Sequence, residues 1–180
     1  MPNKLVSIVI SAYNEQDNVT DLYKQLNTSL KKVKNIDFEF LYVDDGSSDK
    51  TYANCLKLQK KDARVKLVQL KRNFGHEIAM TAGMDYAKGD AVIFMDSDLQ
   101  HPPVYIPKMI ELWQQGKEIV LTKRLDNKAT SKFYKFCAKT FYYILNKLSD
   151  TKIMESAPDF RLLDRKYVNF LKGFNEQDRL

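Results

Sequence analysis

The stretch AVIFMDSDLQHPP, residues 91–103, decides how the whole chain is read. Five apolar residues run directly into two carboxylates, Asp96 and Asp98, set one residue apart. An unbroken apolar run of this length reads as a buried strand, and carboxylates at the tip of such a strand need hydrogen-bond donors or a cation. The strand therefore either delivers charge to a ligand or ends in a solvated turn before a helix started by Pro102 and Pro103.

The same pattern recurs along the chain. LVSIVIS, FEFLYV, VKLVQL, AVIFM and EIVLT are short apolar runs, separated by helical patterns such as DNVTDLYKQLNTSLKKV and HEIAMTAGMDYAKG. That alternation predicts an α/β fold with a mostly parallel sheet covered by helices on both faces. The first four runs end in the polar clusters SAYNEQ, DDGSSD, KRNFGHE and DSDLQHPP. Ligands of open α/β sheets bind outside the carboxyl ends of the strands, so these four loops are expected to share one rim.

At 180 residues, 44% apolar and 29% charged, the chain has the composition of one soluble domain with a sizeable core. Cys55 and Cys137 are too few and too far apart for a disulfide framework or a zinc site, and read as reduced thiols in a cytosolic setting. The opening MPNKLVSIVISAYNEQ is too short in apolar residues for a signal peptide, and no run reaches the length of a membrane span. Seven Lys or Arg face a single acid between Lys123 and Lys147, which accounts for the whole net charge of +6. A basic segment of this kind points to phosphate, on a lipid, a nucleotide or a nucleic acid.

Each loop admits a chemical and a structural reading. Asp96 and Asp98 on one short loop suit Mg2+ or Mn2+, which take one or two carboxylates together with phosphate oxygens, and Gln100 adds a neutral oxygen. In VDDGSSD, Asp45 and Gly46 suit a tight turn and Ser47, Ser48 or Asp49 can cap a helix beginning near Lys50; Asp45 can instead accept hydrogen bonds from a base or ribose. In SAYNEQ, Tyr13 can stack on a flat ring and Glu15 can accept from a nucleoside, while Asn14 can simply cap a helix. In KRNFGHE, Phe74 reads as core, and His76, like His101, reads as a satisfied loop histidine rather than a metal ligand. Residues 130–148 form a wheel with Phe133, Cys137, Phe141, Ile144, Leu145 and Leu148 on one side and Lys132, Lys135, Lys139 and Lys147 on the other. The wheel is a surface helix with a solvated lysine face, or a helix held near an anionic membrane or a phosphate-bearing acceptor.

Taken together, AYNE (12–15), VDDGSSD (43–49), LKRNFGHEIA (70–79), MDSDLQHPP (95–103) and DFRLLD (159–164) resemble glycosyltransferase family 2. Within it they resemble the polyprenyl-phosphate sugar transferases, such as dolichol-phosphate mannose synthase and undecaprenyl-phosphate glucosyltransferase. The resemblance covers nearly the whole chain and implies a GT-A fold over residues 1–180 that binds a nucleotide sugar. It implies nucleotide-sugar contacts at Ser11, Tyr13, Glu15, Asp45 and Asp96, and Mg2+ or Mn2+ held by Asp96, Asp98 and Gln100. It further implies phosphate contacts at Arg124, Lys139 and Arg161, and a catalytic carboxylate at Asp159. Ser11 stands where many members have proline, and Lys139 stands where many have a second arginine. The family usually continues beyond this chain's last residues into a membrane-associated region.

The activity so implied is inverting transfer of a hexose from a nucleotide diphosphate sugar, a UDP-sugar ahead of GDP-mannose, to a polyprenyl phosphate at the cytoplasmic face of a membrane. The membrane would be met through the basic helix or a C-terminal region, with no nucleic acid involved. The alternative is a non-catalytic nucleotide-sugar-binding module that recruits or regulates a membrane partner. A haloacid-dehalogenase-like phosphatase would carry its D-x-D on an early strand, whereas here it follows the fourth. Neither G-x-G-x-x-G after the first strand nor G-x-x-x-x-G-K-[ST] occurs, which removes dinucleotide oxidoreductases and P-loop enzymes.

Overall fold

The computed structural model describes residues 3–123 and 159–173. The chain divides into two compact units, residues 1–120 with 159–180, and residues 121–158. The basic helical wheel, Arg124 and Lys139 fall outside the described residues.

β1 (Lys4–Ala12) is followed by α1 (Val19–Leu30), β2 (Ile36–Asp44), α2 (Thr51–Lys61), β3 (Val65–Gln69), α3 (His76–Tyr86) and β4 (Ala91–Asp96). A 3-10 turn (Pro103–Tyr105) leads into α4 (Ile106–Gln114) and β5 (Ile119–Leu121); β6 (Arg161–Asp164) and α5 (Arg165–Lys172) come last. The sheet order is β3-β2-β1-β4-β6-β5. β1 pairs in parallel with β2 and β4, and β2 with β3, so the expected parallel α/β sheet is present; β6 runs antiparallel to β4.

The apolar runs explain the layering. β4 is buried on both sides, with Ala91, Ile93 and Met95 in one core and Val92 and Phe94 in the other, which is why its sequence runs apolar without alternation. The first core takes Leu22, Leu26 and Leu30 of α1, Cys55 and Leu58 of α2, and Met109, Ile110 and Trp113 of α4. The second takes Ala79, Met80 and Met84 of α3 and Val168 of α5. The crossover helices therefore change face between β3 and β4, and the sheet reverses direction of growth at β1.

Two local expectations are corrected, and one strand is added where only a motif was read. α1 begins at Val19 rather than next to Asn14, because Asn14 has φ 56 and belongs to a turn. Pro102 and Pro103 start a 3-10 turn, and α4 follows at Ile106. The block DFRLLD, read as a motif without secondary structure, contains β6. A four-residue strand ending in Arg161 and Asp164 has too little periodicity to be seen locally, and its partner β4 lies about seventy residues away.

Asp62 ties the corner where α2 turns into β3: it accepts from Tyr23 Oη at 2.8 Å and from the Arg64 guanidinium at 2.6 Å. The Arg64 bonds, chiefly, hold the Asp62 carboxyl down at about 2. Because the folded value lies below the unfolded one, this contribution is full above the ordinary carboxylate range and is lost as pH falls toward 2. With Arg64 partly exposed, Asp62→Asn should cost about 1 kcal/mol in urea denaturation at pH 7 and nearly nothing at pH 2.

Gly46 turns the chain out of β2 with φ 69, and a Cβ there would sit 2.4 Å from the Arg72 carbonyl carbon. Gly116, at φ 91, has open space around the same position. Gly46→Ala combines backbone strain with a backbone clash and should cost about 3 kcal/mol, against about 1 kcal/mol for Gly116→Ala. Equal costs in paired chemical denaturations would show that the approach of the Arg72 loop is not what requires glycine.

Candidate functional site

The reversal of the sheet lies between β1 and β4, and the crevice at such a point is where open α/β sheets bind ligands. In the β1–β4 register Ser11 faces Asp96. Ser11 Oγ donates to Asp96 Oδ1 at 2.9 Å and lies 3.1 Å from His76 Nδ1. That nitrogen also lies 3.3 Å from Asp96 Oδ1, and on the other edge of the ring Nε2 lies 3.5 Å from Asp159 Oδ2.

Asp159 reaches this rim because β6 is antiparallel. Arg161 pairs with Phe94, so the residues just before β6 arrive where β4 ends. His101 closes the arrangement from the other side: its Nδ1 accepts from Asp96 N at 3.0 Å and its ring stacks on Phe160 at 5.3 Å. His101 is thus a structural loop residue, as read from the sequence.

Two adjoining hollows open here. One is lined by Ser11, Tyr13, Glu15, His76, Asp96, Ser97 and Asp98, the other by Ser11, Ala12, Tyr13, Asp45, Asn73, Gly75, His76 and Ala79. Tyr13 stands on their shared border with 45% of its surface exposed, an apolar ring available for stacking. Glu15 accepts from Asn18 Nδ2 at 2.6 Å, and Asp98 accepts from Gln100 N at 2.9 Å.

The neighbouring loops are held by their own polar side chains. Asn14 and Ser47 are joined through Asn14 N to Ser47 Oγ, Ser48 N reaches Asn14 Oδ1, and Gln16 N reaches Asp49 Oδ2. Asp49 also accepts from Thr51 N at 2.8 Å, as expected of a residue at the start of α2. Of the two adjacent acids, Asp44 turns inward, accepting from Ser47 N, and is fully buried. Burial first, and the Asp44 carboxylate second, push the Cys55 thiol up to about 12, which makes that cysteine an inert core residue.

Asp45 is 3% exposed, and its two oxygens accept from Phe74 N at 2.8 Å and Gly75 N at 2.9 Å. It lines the second hollow while clamping the turn that starts α3. Phe74 is not core: 41% of it is exposed and Arg72 lies over its ring at 4.7 Å. The clamp on its backbone N–H turns the side chain outward, which composition alone does not signal.

Of the residues singled out in the sequence, Ser11, Tyr13, Glu15, Asp45, Asp96 and Asp98 therefore meet at one rim, with Asp159 joined to it through His76. Gln100 is exposed and lines neither hollow. Arg161 lies with its guanidinium over the Phe94 ring at 5.7 Å, and its Nε is buried without a hydrogen-bond partner. His76, read from the sequence as a satisfied loop histidine, lies between Asp96 and Asp159. The signal available for it was Gly75, whose φ of 100 fixes where the first residue of α3 points.

The donor set fits a hard divalent cation. His76, Asp96 and Asp159 each offer one atom, and these atoms lie within 4.8 Å of one another. Carboxylate oxygens suit Mg2+ and Mn2+, and imidazole is compatible with Mn2+. This trio shares only Asp96 with the set Asp96, Asp98 and Gln100 read from the sequence.

The family model for glycosyl transferase family 2 matches residues 7–171. An uncharacterized glycosyltransferase of Synechocystis is 41% identical over 97% of this chain and 54% of its own length. A bactoprenol glucosyl transferase of Shigella phage SfV is 38% identical over 96% of this chain and 56% of its own length. The chain thus spans about half the length of the curated relatives it matches. Among solved structures, the mannosyltransferase PcManGT of Pyrobaculum calidifontis, in complex with GDP-Man and Mn2+, is 18% identical, superposes with a TM-score of 0.66, and is matched over 98% of this chain and 48% of its own. At that identity the likeness establishes the shared GT-A fold.

Asp45 yields a direct test of the clamp. In Asp45→Asn the amide nitrogen must face one of the two backbone N–H groups, leaving a donor opposed to a donor at a buried site. The expected result is a loss of about 2 kcal/mol in stability. Amide hydrogen exchange at Phe74 and Gly75 should accelerate selectively over exchange in β1.

Proposed function

Given that the chain belongs to glycosyl transferase family 2, we propose that it is the catalytic part of an inverting hexosyltransferase acting on a polyprenyl phosphate. The donor is a nucleoside diphosphate sugar. The observation that carries this reading is the convergence of Tyr13, Glu15, Asp96 and Asp98 on one hollow, with Asp159 at its edge. Bactoprenol glucosyl transferase relatives at 38% identity support glucose as the hexose and a polyprenyl phosphate as the acceptor.

Tyr13 stacks on the base, and Glu15 and Asp45 accept hydrogen bonds from the nucleoside. Asp96 and Asp98 would hold the cation, which when bound would supply positive charge against the departing diphosphate. Mn2+ and Mg2+ both suit the carboxylates. Arg124, Lys139 and Arg161 are the proposed phosphate partners; Arg161 is described, and it would have to leave Phe94 to serve.

A bond forms between an acceptor phosphate oxygen and the anomeric carbon, and the bond from that carbon to the diphosphate oxygen breaks. With its second pKa near 6, a phosphate monoester is largely ionised at neutral pH and needs little deprotonation. Asp159 therefore serves to orient the acceptor at the face opposite the leaving group.

No helix among the described residues is long and apolar enough to cross a membrane. The acceptor's isoprenoid tail nonetheless requires approach to a bilayer, on the cytoplasmic side where nucleotide sugars are found. The basic segment from Lys123 to Lys147 is the proposed contact with its anionic headgroups.

Two measurements bear on this. A thermal-shift panel should show stabilisation by UDP-glucose with Mn2+ or Mg2+ and little without metal, with GDP-mannose as the competing donor. Asp159→Asn should lower turnover by about 100-fold while leaving donor binding within twofold of the parent; unchanged turnover would refute its assignment.

A further inference from the structure

His76 is placed as no ordinary loop histidine would be. It is the first residue of α3, and the turn before it is clamped at Phe74 N and Gly75 N by the buried Asp45 carboxylate. The start of the helix therefore sets where the ring points. Its two nitrogens face two different carboxylates, one at the end of β4 and one just before β6: Nδ1 lies 3.3 Å from Asp96 Oδ1, and Nε2 lies 3.5 Å from Asp159 Oδ2. The ring is only half-buried, so hydrophobic burial does not account for its position.

Asp159 needs such a partner. The β4–β6 ladder begins at Arg161 opposite Phe94, so Asp159 stands two residues outside the paired strand. Asp96, by contrast, is inside the β1–β4 ladder and receives Ser11 Oγ from the side. One carboxylate is fixed by the sheet, and the other is fixed to the first through an imidazole.

We infer that His76 is a positioning residue: it holds the Asp159 carboxylate at a set distance from Asp96, so that the acceptor-orienting group stays in register with the donor site. This deepens the proposed function and rests on its reading of Asp159. The hydroxyl of Ser11 completes the linkage by fixing Nδ1, which leaves Nε2 directed at Asp159.

The two ring nitrogens can be separated by substitution. The amide of asparagine reaches the position of Nδ1 and falls short of Nε2; that of glutamine reaches Nε2. In the full-length protein, assayed with UDP-glucose, Mn2+ and undecaprenyl phosphate, His76→Asn should lower kcat by about 100-fold, as a misplaced orienting group does. Calorimetric binding of UDP-glucose with Mn2+ should stay within twofold, and His76→Gln should recover most of kcat. The double variant His76→Asn/Asp159→Asn should be no slower than Asp159→Asn alone, since the two residues act as one unit.

A second readout does not depend on turnover. The Asp159 carboxyl 13C resonance should move in His76→Asn and return in His76→Gln. Multiplicative losses in the double variant, a His76→Gln as slow as His76→Asn, or an unmoved Asp159 resonance would each overturn the positioning role. A slow Asp159→Asn beside a normal His76→Asn rejects that role alone, whereas a fully active Asp159→Asn rejects the reading of Asp159 along with it.

Discussion

The parallel pairing of β1 with β4 is the constraint on which the site depends. It joins two strands at the point where the sheet changes its direction of growth, and its register sets Ser11 against Asp96. Because side chains alternate across a strand, a slip of one residue would turn Asp96 toward the core that holds Ile93 and Met95 and away from α3. That core is largely apolar, so the slip would bury a charge at a cost of several kcal/mol. The apolar run of β4 and the acid at its tip thus specify the register jointly.

The antiparallel β6 adds what a wholly parallel sheet cannot. Parallel strands present only their ends at the binding rim; an antiparallel strand presents its beginning. Asp159 enters the site this way from a segment more than sixty residues beyond Asp96. The insertion is held by side chains remote from the rim: Trp113 Nε1 donates to Asp164 Oδ2 at 2.7 Å, and Arg165 Nε donates to Gly89 O at 2.7 Å. Scaffold and site are therefore built at opposite ends of the same short strand.

Much of this was legible in the sequence, because buried parallel strands have continuous apolar runs and their carboxyl ends carry the polar clusters. The four loops, and Tyr13, Glu15, Asp96 and Asp98 within them, follow from that rule alone. What was not legible depends on long-range partners. The two acids of DDG look alike in sequence, yet Asp44 turns inward to Ser47 N and Asp45 clamps the Phe74–Gly75 turn, a division set by strand alternation and by the approach of the Arg72 loop to Gly46. Phe74 was read as core because phenylalanine is usually buried, and His76 as a bystander because a lone histidine usually is. The Phe74 reading is corrected because a turn held by a distant carboxylate decides where that side chain points; the same turn sets His76 at the start of α3.

The distribution of polar partners separates scaffold from chemistry. Asp49 and Asp62 each accept two or more hydrogen bonds from the protein and are consumed in holding loops. The acids of the first hollow, Glu15, Asp96 and Asp98, sit with Ser11, Tyr13, Ser97 and His76, and among the described residues no lysine or arginine lines it. A cleft so lined attracts cations and repels a bare diphosphate. On the proposed function, a nucleotide sugar entering it would have its charge offset by the cation. The positive charge of the chain is concentrated instead between Lys123 and Lys147, which on the proposed function would serve the acceptor phosphate and the surface that carries it.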